Sequence, residues 1–410
     1  MVTRVLLLTQ WFEPEPVLKG LAFARELVRQ GFEVEVLTGF PNYPSGKLYP
    51  GYRIRLLQRE VIDGVRVTRV PLFPDHGRSA IKRVLNYVSF AASSLVYGLF
   101  IARRADVIYA YHPPLTVGVT ASLLRLLRRI PVVYDIQDMW PDTLRATGMI
   151  SNARALGVVG AVCRWVYRRV DQIVVLSPGF KRLLLERRVP ESKLDVIYNW
   201  ADERALFATQ GGLPRVFPSS EQFRILFAGN MGKAQALDTV LDAAQLLQRR
   251  GSRVCWVMLG SGIESDGLKQ RAADMQLRNL VFLPRVPMSE VGDYLSAADV
   301  LLVHLRKDPL FEITIPSKTQ AYMASGKPIL MAVDGDAADL IRESGGGLVA
   351  QSENAEALAD AAEHMAGMSI SELAEMGFKA KSYYQQHMAL SVGTRRFVEV
   401  FQRFTKDGNR

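Results

Sequence analysis

Three short segments carry glycine, lysine or both, and each adjoins an apolar run: "GNMGK" (229–233), "LGSGIE" (259–264) and "IPSKT" (315–319). Glycine lets backbone approach a phosphate closely, and lysine adds a point charge. "IPSKTQAYMASG" reads as a helix. Ser317 is its expected N-cap, Gln320 completes a capping box, Gly326 ends it and Pro328 prevents its return. Lys318 conflicts with that reading. A cation in the first turn opposes the helix dipole by about 0.3–1 kcal/mol at an exposed site. An anion bound there reverses the sign. The residues alone leave open a ligand site and a tolerated surface lysine. Gly229, Gly232, Gly260, Lys233 and Lys318 together suggest a site for a nucleoside diphosphate.

These loops need strands to hold them. In the first half, apolar runs at 4–9, 33–38, 65–70, 106–110, 131–135, 171–176 and 194–198 alternate with helical patterns. The second half repeats the alternation, with runs at 223–228, 253–259, 279–283, 299–303 and 328–333. That grammar means parallel sheets covered on both faces. A Gly-, Pro- and Ser-rich stretch at 209–222 reads as the linker. The expectation is two doubly wound, Rossmann-like α/β domains facing across a cleft, with ligands at the carboxyl ends of the strands. Residues 1–205 form the first domain and 206–382 the second. Residues 383–410 are a helical segment returning to the first.

Composition excludes several classes. Cys163 and Cys255 lie far apart in apolar runs, so no disulfide framework is expected, and no Cys/His cluster has metal-ligand spacing. The first apolar run starts at residue 4, so the reading is a cytoplasmic protein without a secretory signal. The net charge of +10 is uneven. Residues 1–199 hold 28 Lys+Arg against 16 Asp+Glu, and residues 200–410 hold 23 against 25. The basic half suggests an anionic surface as partner. No nucleic-acid motif accompanies the charge, so a membrane leaflet is favoured over nucleic acid.

A set of segments, in order along most of the chain, resembles the retaining nucleotide-sugar glycosyltransferases of family 4, which have the GT-B fold. They are "TQWFEPEP" (9–16), "TGFPNYPSG" (38–46), "DIQDMWPDT" (135–143), "VVLSPGF" (174–180), "VIYNWAD" (196–202), "AGNMGKAQALDTVLDAA" (228–244) and "IPSKTQAYMASGKPIL" (315–330). Within that family the chain is similar to enzymes of bacterial capsule, O-antigen and exopolysaccharide synthesis. The resemblance implies transfer from a nucleoside-diphosphate sugar, UDP-type, with retained anomeric configuration. It implies a donor site in the second domain, an acceptor site in the first, no cofactor and no essential metal. The sequence also departs from the family pattern. Two glutamates usual around the "MASG" helix fall on Ile313 and Ala321. A usual arginine and lysine fall on Asn230 and Gln235, with Lys233 between them. A histidine usual in the first domain falls near Gln137 and Asp138.

On this resemblance Lys233 and Lys318 are the catalytic contacts to the leaving diphosphate. Gly20, Gly229, Asn230, Gly232, Gly260, Arg285, Ser317 and Gln320 are donor-binding positions. Asp138 would orient or deprotonate the acceptor hydroxyl; the alternative is the cap of a following turn. His112 and Gln137 are candidate sugar contacts. "DGD" (334–336) reads as a turn rather than a metal motif.

The most apolar stretch is "RSAIKRVLNYVSFAASSLVYGLFIARR" (78–104), whose core spans 84–102. It reads as a helix lying in a membrane interface, with cations at both ends meeting anionic headgroups, or as a buried helix. The first reading suits a lipid-diphosphate-linked saccharide acceptor and a protein held peripherally at the inner membrane. Two other readings are a nucleotide-sugar epimerase of the same architecture and a non-catalytic partner of a transferase.

Overall fold

The computed structural model describes residues 2–77, 79–207, 217–219 and 221–406. The expected linker at 209–222 falls mostly outside the described residues. Among those described, the strands form two sheets belonging to two compact units.

In the first sheet, in chain order, lie β1 (Arg4–Leu8), β2 (Glu33–Gly39), β3 (Gln58–Ile62), β4 (Val65–Val70), β5 (Val107–Tyr111), β6 (Val132–Ile136), β7 (Gln172–Val175) and β8 (Leu194–Val196). Their order across the sheet is β3-β4-β2-β1-β5-β6-β7-β8. All neighbours are parallel except β3 and β4, an antiparallel hairpin. Its two-residue turn, Asp63-Gly64, has φ of 48° and 84°, as a hairpin turn with the strands' twist requires. β5 and β6 are buried at every position, as expected for strands covered on both faces.

The second sheet holds β9 (Phe223–Asn230), β10 (Val254–Ser261), β11 (Leu280–Leu283), β12 (Val300–His304), β13 (Ile329–Ala332) and β14 (Gly347–Val349). All are parallel, in the order β11-β10-β9-β12-β13-β14. Alternate residues feed two cores. Ile225, Phe227, Trp256 and Leu302 enter one, and Leu226, Val257, Leu301 and Val303 enter the other. Two strands escaped the sequence reading. β3 is a half-exposed edge, and β14 is only three residues long.

Both domain bounds move. The first unit is Met1–Leu176, Phe180–Ile197 and Gly393–Arg410; the second is Ser177–Gly179 and Tyr198–Val392. The second therefore begins nearer 198 than 206, because Ala201 and Leu206 are buried in its core. The chain returns to the first unit at 393, not 383. Tyr384 belongs to the second core, whereas Phe397 sits edge-on to Phe23 and Tyr109 at 5.2 and 5.3 Å.

Candidate active site

Parallel strands bring all their carboxyl ends to one edge. In the second sheet the order reverses at β9, which lies between β10 and β12, and this switch point is where such sheets take ligands. β9 and β10 run on past the hydrophobic layer, pairing Gly229 with Gly260 and Asn230 with Ser261. Gly260 has φ +139°, and a Cβ there would lie 2.0 Å from the Gly229 carbonyl oxygen. Gly260 is thus required for strand approach. Gly229, with φ +143°, is exposed, and a Cβ there would meet only the Lys318 side chain.

The helix Ser317–Ser325 brings Lys318 to this point. Its Tyr322 hydroxyl accepts from the Ala228 N–H at 2.9 Å and donates to the Ala228 carbonyl at 3.2 Å, clamping the helix to the end of β9. Lys318 lies one turn earlier on the same helix face. Its ammonium sits 3.5 Å from the Phe227 ring centroid, buried and without a hydrogen-bond partner among the described residues. Burial pushes its pKa down from 10.5 to about 7. The sequence left open a ligand site and a tolerated surface lysine; the ammonium is buried beneath Gly229 and not at the surface.

Two readings of this helix are corrected. Pro316, not Ser317, is the N-cap, and no side chain caps the turn; Ser317 is the exposed first helical residue. Gln320 forms no capping box. It is buried, and its amide, oriented by its neighbours, donates to the Pro316 and Ser317 carbonyls at 2.9 Å each. It is a strut of the first turn and not a ligand contact. Of the leading N–H groups, that of Thr319 donates to the Pro316 carbonyl at 2.9 Å, and no described residue accepts from those of Ser317 and Lys318.

The "GNMGK" loop is held firmly. Lys233–Gln235 form a single 3-10 turn, and the Gln235 side chain accepts from the Gly232 N–H at 3.0 Å. A Cβ at Gly232 would lie 2.8 Å from the Asn230 amide. His304, at the end of β12, faces the Gln235 carbonyl through Nδ1 at 2.7 Å, and the Arg306 N–H donates to Ala234 at 2.9 Å. Burial lowers the His304 pKa to about 4, so the ring is neutral and its Nε2 has no partner. Asn230, Lys233 and Arg285 are exposed along the same edge, Arg285 just after β11. The sequence reading missed His304 and Tyr322. An apolar strand end and a mid-helix aromatic read as core, and only the fold gives them polar tasks.

At the carboxyl edge of the first sheet, charges are paired internally. Lys19 donates to Asp135 at 2.5 Å with both side chains fully buried. Tyr109 and Gln137 each reach the same carboxylate at 2.6 Å. Gln137 is thereby tied to Asp135. The Glu13 carboxylate accepts from the Leu21 N–H at 2.7 Å, filling the helix start where Gly20 was expected to offer N–H groups. Gly20 is small because a Cβ would come 2.7 Å from that carboxylate. Glu15 accepts from the backbone of Phe12, Asn42 and Tyr43, yet burial lifts its pKa to about 7.

His112 is a packing residue and is withdrawn as a sugar contact. It is buried against Tyr134 and Trp140, and desolvation lowers its pKa to about 3. Asp138, after β6, is desolvated and its pKa is raised. It caps no helix: the next one, Asp142–Ala146, starts from Pro141 without a side-chain cap. Trp11, Tyr43, His76 and Tyr87 form an aromatic cluster after β1, β2 and β4, with Trp11 stacked on Tyr43 at 4.6 Å. Among the described residues, no group of three or more His, Cys, Asp or Glu is arranged for a metal ion.

Family descriptions match both halves of the chain: "Glycosyl transferase 4-like domain" over residues 21–200 and "Glycosyl transferases group 1" over 222–367. With the two doubly wound units, these define the class: the chain is a glycosyltransferase of the GT-B fold. It is 28% identical over 303 residues to the probable glycosyltransferase WbjE of Pseudomonas aeruginosa, covering 72% of this chain and 74% of that protein. It is 27% identical over 317 residues to WcaI of Escherichia coli (strain K12), whose name places it in colanic acid biosynthesis; the match covers 73% and 75%. Among solved structures, sucrose-phosphate synthase from Thermosynechococcus elongatus shares the fold at TM-score 0.73 and 15% identity, over 99% of this chain and 100% of that one. Anabaena HepE, solved with UDP, does so at TM-score 0.68 and 14% identity, over 98% and 100%.

Proposed function

We propose that the chain transfers a sugar, with retention, from a UDP-type nucleoside-diphosphate sugar to a lipid-linked saccharide acceptor in bacterial surface polysaccharide synthesis. The observation that carries the donor reading is the Lys318 ammonium, buried without a partner beneath Gly229 at the switch point. A buried lone charge is costly, and a diphosphate over Gly229 and the helix start would offset it. Lys318, the free N–H groups of the helix and the exposed Lys233 would stabilise the leaving diphosphate without a metal. Asp138, its pKa raised, would take the acceptor proton. WbjE supports the transferase reading, the name of WcaI supports the polysaccharide role, and the UDP bound to HepE supports the choice of nucleotide.

The peripheral membrane reading rests on the helix Ala80–Phe100. No described helix is long and apolar enough to cross a membrane. This one exposes Ile81, Val84, Leu85, Val88, Val96 and Phe100, carries no acidic residue, has Lys82 and Arg83 in its first turn and is followed by Arg103–Arg104. Arg125 and Arg128, on the neighbouring helix Leu115–Arg128, do not add to this surface because both are engaged: the first with Asp171 at 2.6 Å, the second with the Gly98 and Ala102 carbonyls.

Thermal shift with UDP, GDP, dTDP and CMP, each without metal, tests the donor reading. A shift with UDP that disappears in Lys318→Ala is expected. No shift with any nucleotide at millimolar concentration overturns it.

A further inference from the structure

Beside the helix Ala80–Phe100 runs a groove of about 570 Å³, lined chiefly by Leu56, Leu57, Leu72, Ala92, Val96 and Ile101. Its polar side chains are already satisfied. Ser89 accepts from the Phe73 N–H at 2.8 Å and donates to the Asn86 carbonyl at 3.0 Å. Ser93 donates to Pro71 at 2.6 Å, and the Tyr97 hydroxyl donates to Glu35 at 2.7 Å. A ligand in this groove therefore meets hydrocarbon and spent hydrogen bonds. The segment Arg53-Ile54-Arg55 leads directly into Leu56 of the lining, with all four residues exposed, Leu56 at 90%. Neither arginine makes an ion pair among the described residues. The same helix carries its exposed apolar stripe from Ile81 to Phe100, continuous with the groove at Ala92 and Val96.

We infer that this groove holds the hydrocarbon chain of the lipid on which the acceptor saccharide is mounted, with Arg53 and Arg55 meeting that lipid's phosphate. The inference rests on the proposed lipid-linked acceptor and gives it a place in the first unit. An apolar slot with no free polar group selects a chain. Two exposed guanidinium groups, one and three residues before Leu56 in the chain and without an ion pair among the described residues, select an anionic head. The exposed stripe lies in the bilayer surface and lets the chain pass from membrane to groove without crossing water.

The test titrates farnesyl phosphate into the native protein and into Ala92→Trp, which fills the groove from an exposed position. Inorganic phosphate controls for the head alone. The native protein should bind farnesyl phosphate about tenfold or more tightly than the variant, because buried methylenes carry the difference. Inorganic phosphate should not distinguish the two proteins. Equal farnesyl phosphate affinity overturns the inference. Co-sedimentation with vesicles of phosphatidylcholine and phosphatidylglycerol separates the source of the chain. Binding should be within about twofold for both proteins, because tryptophan tolerates the interface. A parallel loss in the variant would mean that the groove takes bilayer chains, and would overturn the carrier assignment. The UDP-induced thermal shift should be the same in both proteins. Its absence from the native protein would count against the transferase reading and leave the groove result standing.

Discussion

The two sheets present their carboxyl edges in opposite electrostatic states. At the first edge, Lys19 has Asp135, Glu13 has the Leu21 N–H, and Glu15 has three backbone donors. At the second edge, Lys318 has, among the described residues, only the face of Phe227. A satisfied network rigidifies, whereas a lone buried charge is stabilised when a counter-charge arrives. The comparison favours the second unit for the proposed anion capture. In the first, Asp138 is desolvated with its pKa raised, which suits the acceptor-side role proposed for it.

The sharpest way to break this comparison is Asp138→Asn. If Asp138 is the base, sugar transfer should fall by about 10²–10⁴-fold. UDP should still raise the melting temperature as in the native protein, because the proposed donor site lies in the other unit. Transfer measured against pH should rise with deprotonation of a carboxyl above the usual range, and that limb should vanish in the variant. Loss of UDP binding in Asp138→Asn would show that the two edges are not separable in this way.

Lys318→Met tests the other edge, with an expected loss of about 10²–10³-fold in kcat/KM. The same substitution should raise the melting temperature without ligand, because methionine suits a dry site better than an unpaired ammonium does. A variant that loses both activity and stability would mean that Lys318 is structural.

Much of this was legible in sequence, and the failures share one cause. Continuous apolar runs revealed the parallel strands because both faces of each are covered, and the glycines of "GNMGK" and "LGSGIE" marked the edge of the second sheet. What escaped depended on contacts between distant segments. Nothing local shows that Gln320 folds back onto Pro316 and Ser317, or that Glu13 fills the turn at Gly20. The Lys318 signal was read correctly as a conflict, but its depth beneath Gly229 came only from the fold. The β3–β4 hairpin was announced by Asp63-Gly64 and overlooked because the strand before it is half-exposed and charged.

The pH dependence of UDP binding sharpens the contrast further. The folded pKa of Lys318 lies near 7, below the usual 10.5, so the unfolded chain binds the extra proton between those values. Stability without ligand therefore rises with pH through that window. A diphosphate requires the charged form, so its affinity should fall as pH rises above about 7, approaching tenfold per unit. Calorimetry in buffers of different ionisation enthalpy should show a proton taken up on binding. A pH-independent Kd between pH 7 and 9 would mean that Lys318 stays clear of the anion.

The smallest expected effect lies at Tyr322, which sets where Lys318 stands without meeting a ligand itself. Tyr322→Phe keeps the ring in its core and removes both bonds to Ala228. A buried N–H left unpaired costs about 1–3 kcal/mol of stability. If the clamp also positions Lys318, KM for the donor should rise several-fold while kcat changes little, because the cation is displaced and not deleted. A drop in melting temperature with donor KM unchanged would make the clamp purely structural. The link from helix to β9 would then hold the fold without tuning the donor edge.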